Sequence, residues 1–260
     1  MLALRSGVQE VGDLAGFSVR AAKELRGTFR YGGEVLRQAG LLLVGSAFVL
    51  IAMELVIGGE CGLFTAYVGR SFGASGAVGL FTLVCDVREM FPYMFGYILA
   101  AKVGCGLVAE IGSMRIAEEI DAMEVLGVPS MRYVVGTRLL ASILVLPLVY
   151  VIAVAAGTLG SYLVVVLQVG DISSAAWLAG HFGPAHSLST DLFSLIKAMA
   201  IGITIILVGT YYGYTASGGA VGVGAATARS MVVNLVMIHF IGGTLSLLFW
   251  GTNARLPIGG

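Results

Sequence analysis

Five long apolar stretches run through this chain, and short polar segments separate them. A helix needs about 20 apolar residues to cross the hydrocarbon core of a bilayer, and each stretch reaches that length. The pattern therefore predicts five membrane-spanning helices. Their expected bounds are residues 39–67, 77–108, 139–167, 192–215 and 231–250.

A basic, amphipathic segment precedes the first stretch. It holds six of the 15 basic residues, and four of its apolar residues recur at helical spacing. These four are Leu14, Phe17, Ala21 and Leu25. We expect a helix lying on the membrane surface, with a flexible charged tail as the alternative. The chain then divides into an N-terminal interfacial helix region, 1–38, and one five-span domain, 39–260.

A short acidic segment, AEIGSMRIAEEIDAMEVLGVP (109–129), separates the second and third stretches. Helical spacing gives it two faces. One face carries Ile116, Ala117, Ile120 and Met123, and the other carries Glu118, Glu119, Asp121 and Ala122. Gly127 and Pro129 are a stop signal for a helix. The segment predicts an amphipathic helix of two to three turns, and a surface helix that only keeps the connection soluble is the alternative.

The composition supports a membrane protein. Hydrophobic residues make up 58% of the chain and charged residues only 12%, and the mean hydropathy is +0.95. The 38 glycines favour close helix packing, and Gly209 and Gly213 form a G-x-x-x-G pair in the fourth stretch. The net charge of zero gives no reason to expect a nucleic-acid partner. Three cysteines without C-x-x-C spacing favour small packing residues over a disulfide or zinc site.

The basic residues predict the orientation. Five spans place the two termini on opposite sides of the membrane. The segments on the N-terminal side, 1–38, 109–138 and 216–230, hold ten basic residues, whereas those on the other side hold only Arg70 and Arg255. The positive-inside rule therefore places the N-terminus in the cytoplasm and the C-terminus outside.

Ionisable residues inside the spans are candidates for a functional site, because a charge in hydrocarbon is costly. Asp86, Arg88 and Glu89 lie together in the second stretch, and Glu54 and Glu60 lie in the first. We expect them to face a cavity or a neighbouring helix. The alternative is that they lie at the outer interface and reach water.

Motifs for nucleotide, metal or hydrolytic chemistry are absent from the sequence. No P-loop occurs, so any ATP is bound by another chain, and the glycine-rich stretch 218–230 is interpreted as a loop. His181 and His186 are expected in a solvated outer loop, with a metal site as a weaker alternative. His239 stands alone in an apolar span and is expected to hydrogen-bond within the bundle. We assign no catalytic residue and no metal ligand.

Residues 88–141 resemble the signature region of the MlaE/YrbE permeases, the membrane subunits of Mla- and Mce-type ABC lipid transporters. The motifs that carry the resemblance are REMFP (88–92), AKVG (101–104), AEIGSM (109–114) and EEIDAM (118–123). A further stretch, GGAVGVGAATARSMV (218–232), is similar to the family's cytoplasmic loop before its last helix.

The resemblance implies an all-α membrane protein with an interfacial helix, five spans and a cytoplasmic coupling helix at about 110–127 that docks on an ABC ATPase dimer. It also implies a permease dimer around a lipid-accessible cavity, and MCE-domain proteins on the outer face. ATP and Mg²⁺ would bind to the ATPase, and no cofactor to this chain. By position, the coupling residues are Glu110, Met114, Ile116, Glu118, Glu119, Ile120, Asp121 and Met123, and the cavity residues are Glu54, Arg88, Glu89 and Tyr93.

Four features depart from the family pattern. Lys102 replaces the usual arginine of A-G-R-x-G, Glu119 replaces a glutamine, and Gly136-Thr137-Arg138 replaces a Pro-Arg pair. Glu54 and Glu60 also lie in a span that is mostly uncharged in the family. These departures suggest one of two non-identical YrbE-type permeases in a heterodimer, as in actinobacterial Mce systems.

The expected function is that of a permease in the bacterial plasma membrane, moving lipids such as fatty acids, sterols or phospholipids by means of ATP hydrolysis on a separate subunit. No covalent chemistry is expected on this chain. A lipid-modifying membrane enzyme and a membrane scaffold without transport are the alternatives.

Overall fold

The computed structural model describes residues 2–251, with side chains from residue 9 onward. Over this range the chain consists of helices and turns, without a strand. Five helices are long and apolar enough to cross a membrane, which confirms the predicted all-α membrane class. Arg5 and Arg255, which count toward the charge asymmetry, lie outside the described side chains.

Helix α1 leads through a 3-10 turn, Phe29–Tyr31, into α2, and six further helices follow. The bounds are α1 Leu2–Thr28, α2 Gly32–Ser71, α3 Ser75–Ile116, α4 Glu119–Val125, α5 Met131–Val169, α6 Ser174–His181, α7 Leu188–Tyr214 and α8 Gly219–Trp250. Helices α3 and α5 contain π-helical turns, among them Val84–Met90 in α3. Such turns are frequent at functional sites.

The helices extend beyond the apolar stretches that predict them. Helix α3 continues to Ile116, and α5 begins at Met131. The interpretation of 218–230 as a loop is wrong, because α8 begins at Gly219. Packing accounts for this difference, since Val223 and Ala226 belong to a hydrophobic cluster with Val108 of α3.

Contacts divide the chain into two compact units. The first unit contains the chain up to Gly45 together with Leu99–Val145 and Gly202–Val236. The second unit contains Ser46–Ile98, Leu146–Ile201 and the chain from Met237 onward.

The core of the first unit explains the apolar stripe of α1. Phe17 and Ala21 are buried in one cluster with Leu107, Leu139 and Ile206, and Leu25 packs against that cluster. The N-terminal segment is thus a helix that is packed on the chain, and the alternative of a flexible tail is wrong for the described residues.

Two glycines of α7 allow a close approach to α3 within the first unit. A Cβ atom at Gly209 would lie 2.9 Å from the Gly104 carbonyl oxygen, and one at Gly213 would lie 2.9 Å from the Ile111 Cβ. A side chain at either position would push the helices apart. The G-x-x-x-G contact predicted from the sequence is confirmed.

A disulfide joins α2 to α3 in the second unit. Cys61 and Cys85 are bonded, with their Cα atoms 6.0 Å apart, while Cys105 is free. The expectation that the cysteines are only packing residues is wrong for this pair. The two sulfurs and the Asp86 carboxylate lie within 4.8 Å of one another. Because the sulfurs are bonded to each other, neither is a thiolate that could bind a metal.

Candidate functional site: an acidic segment and an ionic cluster

The acidic segment between α3 and α5 is two helical pieces instead of one helix. Helix α3 runs to Ile116, and the Ala117 and Glu118 amides then form turn hydrogen bonds to Ser113 and Arg115. Glu118 has a left-handed backbone with φ of 58°. This conformation costs a non-glycine residue about 1–2 kcal/mol, and it redirects the chain into α4. Gly127, with φ of 76°, follows the end of α4, as the stop signal predicts.

Helix α4 turns one apolar residue inward. Ile120 has no exposed surface and clusters with Ile111 and Val134, and Met114 and Met123 pack against this cluster. The structure therefore contradicts the expectation that Ile120 fills a groove of another protein. Its side chain holds α4 against the ends of α3 and α5.

Apolar side chains that do face outward lie at the C-terminal end of α4. Val125 is 88% exposed and Leu126 is 80% exposed, while Ile116 is 41% exposed. Glu118 and Glu119, at the start of α4, are also exposed, and neither forms an ion pair with another described residue. The outer face of the segment thus combines two large apolar side chains with unpaired carboxylates.

Polar contacts fix the segment to the rest of the first unit. The Arg138 guanidinium lies 2.6 Å from the Glu110 carboxylate and also donates to the Val134 carbonyl oxygen. Arg115 and Asp121 form a second ion pair at 2.6 Å. The Ser130 hydroxyl lies 2.6 Å from Glu124 and 2.7 Å from the Tyr214 hydroxyl. Glu110 and Asp121 therefore connect α3, α4 and α5.

In the second unit, the Lys197 ammonium of α7 is the centre of an ionic cluster. Lys197 has no exposed surface. Its three donors are directed at the Glu89 carboxylate at 2.7 Å, the Ser246 hydroxyl at 2.6 Å and the Arg88 carbonyl oxygen at 3.0 Å. Ser246 in turn lies 2.9 Å from both Glu89 oxygens. The buried charge is thus fully hydrogen-bonded, as a buried ion must be.

Aromatic rings surround the same cluster. The Lys197 nitrogen lies 4.4 Å from the centre of the Tyr93 ring, and the Arg88 guanidinium lies 5.6 Å from the centre of the Trp250 ring. Arg88 is 3% exposed, whereas the Glu89 side chain is 39% exposed. Three residues predicted to line one cavity, Arg88, Glu89 and Tyr93, therefore lie together, with Glu89 presenting its carboxylate.

Glu54 belongs to a different cluster. Its carboxylate is buried on α2, and it interacts electrostatically with Asp86 of α3, which is also buried. No hydrogen bond among the described residues reaches either Glu54 oxygen. Glu60, in contrast, is exposed on α2.

Sequence reasoning did not assign Lys197, Ser246 and Trp250 to the site. Lys197 could have been selected from the sequence, because a lysine within an apolar span is a functional candidate by the same argument that selected Glu89. Nothing in the sequence distinguishes Ser246 and Trp250, since serines and tryptophans are common in membrane helices.

The segment with two histidines, between α5 and α7, is partly folded. Helix α6 ends at His181, which is fully buried and stacked on Trp177 at 4.5 Å between ring centres. The expectation of a solvated loop is wrong for His181. His186 lies 3.0 Å from the Asp191 carboxylate. In the span, His239 lies 2.7 Å from the Tyr97 hydroxyl, as expected from its isolation.

The two loop histidines have opposite pKa shifts. Burial lowers the pKa of His181 to about 4, because the charged ring would lose its hydration. The hydrogen bond to Asp191 raises the pKa of His186.

Stability is therefore expected to peak near pH 6.5, the ordinary histidine pKa. The His181 contribution is complete above that pH and is lost as the pH falls toward 4, by about 3 kcal/mol in total. The His186 contribution is complete below that pH and is lost as the pH rises through its raised pKa. Thermal unfolding in detergent from pH 4 to 8.5 measures both losses of stability. We expect His181→Phe to reduce the loss of stability at acid pH and His186→Gln to reduce the loss at alkaline pH. A pH dependence of stability unchanged from that of the parent chain would contradict the assignment.

Comparison with known proteins agrees with this architecture. The family model described as Permease MlaE matches residues 35–248. A probable ABC transporter permease protein of Rickettsia conorii is 30% identical over 244 residues, which cover 93% of each chain. Similar permeases of Synechocystis and Pyropia yezoensis are 32% and 31% identical and cover 78% and 73% of this chain.

The fold and the matches define a multi-pass membrane protein of the ABC permease class. The chain belongs to the MlaE permease family. Permeases of this class work with a separate ATPase subunit and have no catalytic ATPase of their own, which agrees with the lack of a P-loop in the sequence.

Proposed function

We propose that this permease moves lipids, such as fatty acids, sterols or phospholipids, with energy from ATP hydrolysis on its partner ATPase. The observation that carries the coupling to an ATPase is the outward face of the α4 segment, which exposes Val125 and Leu126 at its end and the unpaired Glu118 and Glu119 carboxylates at its start. Large exposed apolar side chains bordered by charges are typical of a protein interface. The ATPase, with its ATP and Mg²⁺, is the partner that an ABC permease requires.

The same proposal orients the chain. With five spans and ten of the basic residues on the N-terminal side, α4 lies in the cytoplasm, where ATP is available. The C-terminus is then outside, at the face proposed for MCE-domain proteins.

Force from the ATPase reaches the membrane helices through the contacts of α4. Ile120 packs on α3 and α5, and the Glu110–Arg138 ion pair joins those two helices directly. Closure of the ATPase dimer pushes residues 110–127, and the rigid helices transmit a two-state change to the lipid cavity. Glu110, Ile120 and Met123 thus transmit the movement, while Glu118, Glu119, Val125 and Leu126 form the contact.

The lipid cavity is proposed to be lined by Glu89, Arg88 and Tyr93, with Glu54 deeper in the bundle. Glu89 supports this role best, since its carboxylate is held by Lys197 and Ser246 and stays partly exposed. A second YrbE-type permease completes the cavity, and the departures from the family pattern favour a non-identical partner, as in actinobacterial Mce systems.

Reversal of the charge at Glu119 tests the docking role. We expect Glu119→Lys to weaken ATPase association severalfold, more strongly at low salt, because an exposed charge acts mainly by long-range attraction. The measurement is co-purification of the ATPase with the tagged permease from membranes at two salt concentrations. Asp171→Lys is the control for charge reversal away from the proposed docking surface, since Asp171 is 59% exposed in the turn after α5, where it pairs with Arg70.

Both variants should insert normally. Undiminished co-purification of Glu119→Lys at low salt would contradict the role of this carboxylate, and an equal loss with Asp171→Lys would indicate a general defect.

A further inference from the structure

A cavity lies within the second unit, apart from the Lys197 cluster. It has a volume of about 560 Å³ and lies between α5, α7 and the loop after α6. This volume is in the range of small-molecule sites. Most of its wall is apolar, formed by Val87, Val151, Val154, Ala155, Phe182, Leu192 and Leu195. An apolar wall of this size fits a sterol ring system or one acyl chain.

The polar groups of the cavity are few, and the direction of their hydrogen bonds can be assigned. Ser194 donates its only hydroxyl proton to the Val87 carbonyl oxygen at 2.5 Å. The hydrogen bond between Tyr150 and Ser194, at 2.6 Å, must therefore be donated by Tyr150. Both hydroxyl protons are used, so these two residues can only accept a further hydrogen bond.

The second polar group is the pair of His186 and Asp191. The His186 Nδ1 lies 3.1 Å from the His181 carbonyl oxygen, which can only accept, and its Nε2 lies 3.0 Å from the Asp191 carboxylate. Both ring nitrogens of His186 thus donate within the protein. Asp191 keeps free lone pairs, and its side chain is 48% exposed.

One hydroxyl remains free to donate. Thr158, two turns beyond Tyr150 on α5, lines the cavity, and its hydroxyl has no hydrogen bond to the described residues. The cavity therefore offers a carboxylate acceptor, whose charge is balanced by the doubly protonated His186 ring, and a single neutral donor. A ligand hydroxyl can donate to the Asp191 carboxylate, and an oxygen of the ligand can accept from Thr158. A carboxylate or phosphate needs several hydrogen-bond donors and would find only Thr158 among the described residues of the lining, because both His186 N–H groups are already used within the protein.

We propose that this cavity binds a neutral lipid by its hydroxyl group, either a sterol or a diacylglycerol, in preference to a fatty acid or a phospholipid. The inference names the substrate class of the proposed transport and rests on that function for its role in the cell. Binding itself needs no ATP, so a binding measurement can fail or succeed independently of transport.

Photo-crosslinking tests the proposal on the permease complex in nanodiscs without ATP. The probes are a diazirine sterol with a free 3-hydroxyl, its 3-ketone, a diazirine diacylglycerol and a diazirine fatty acid. We expect the hydroxyl sterol or the diacylglycerol to label peptides that contain residues 150–158 and 182–195. The ketone should label about tenfold less, because it cannot donate to Asp191.

Two substitutions provide matched controls. Val154→Trp fills the cavity and should abolish labelling, whereas Ile152→Trp, on the same helix but outside the lining, should not. Labelling by the diacylglycerol alone would support the proposal with that lipid as the source of the hydroxyl. Equal labelling by alcohol and ketone, stronger labelling by the fatty acid, or no labelling of these peptides by either alcohol would overturn it. These probe comparisons use the unaltered chain, so they hold even where Val154→Trp does not fold.

Discussion

Replacement of Glu89 by leucine is expected to destabilise the permease by about 3 kcal/mol, because it leaves the Lys197 ammonium buried without its counter-ion. Lys197 has no exposed surface, so the orphaned charge cannot regain water. Lys197→Met should cost less, on the order of 1 kcal/mol, because Glu89 stays partly exposed and keeps its hydrogen bond from Ser246.

Comparison of the two single variants with Glu89→Leu/Lys197→Met isolates the interaction. The double variant should recover most of the stability lost in Glu89→Leu, as measured by thermal unfolding of the purified permease in detergent. It should still assemble with the ATPase but transport poorly, because the proposed lipid cavity has lost the Glu89 carboxylate. Glu89→Ala is expected to impair transport for the same reason, with assembly intact. Additive losses in the double variant would show that Lys197 and Glu89 do not stabilise each other.

Aspartate at both Val125 and Leu126 is expected to abolish co-purification of the ATPase. Buried apolar anchors each contribute about 2 kcal/mol or more to an interface, so their joint loss weakens binding by about a thousandfold. This loss of ATPase affinity exceeds the severalfold effect of Glu119→Lys. The Val125 and Leu126 side chains would be buried away from water in the complex, whereas the Glu119 carboxylate would stay at the solvated rim of the interface.

The matched control is Val221→Asp, since Val221 is 86% exposed at the start of α8, also on the side proposed to be cytoplasmic. Both proteins should insert and unfold at the parent temperature, because neither site packs in the core of the first unit. Retention of the ATPase by the Val125→Asp/Leu126→Asp variant would move the docking surface away from α4.

The five spans were predictable because hydrophobicity over 20 residues is a strong signal, but their ends were not. The glycines of 218–230 suggested a loop, since each glycine costs a helix about 1 kcal/mol. Packing of Val223 and Ala226 in the first unit outweighs that cost and extends α8 to Gly219. Tertiary contacts of this kind are invisible in a single sequence.

The Cys61–Cys85 disulfide was missed for a related reason. Three cysteines allow three pairings, and nothing in their spacing selects one. The fold selects this pair, because α2 and α3 are consecutive helices and the two cysteines lie at similar distances in sequence from the turn that joins them.

The candidate site was only half predictable. Intramembrane charge identified Arg88 and Glu89, and the acidic, amphipathic pattern identified the segment that contains α4. The partners of Glu89, however, come from α7 and α8, more than 100 residues away in sequence, at separations of 108 and 157. Helical spacing also does not show that Ile120 is buried while Val125 and Leu126 are exposed. The direction of these side chains depends on the break in the helix at Glu118.

Lipid transport by the reconstituted complex is the most direct test of the account. The permease, its partner permease and the ATPase are placed in liposomes that carry fluorescent sterol, diacylglycerol, fatty acid and phospholipid, and lipid movement is followed with ATP or a non-hydrolysable analogue. We predict movement of at least one lipid that requires ATP hydrolysis and is lost in the Val125→Asp/Leu126→Asp variant. Chemical conversion of the lipid by this chain, or the absence of any ATP-dependent movement in a complex that hydrolyses ATP, would contradict the account.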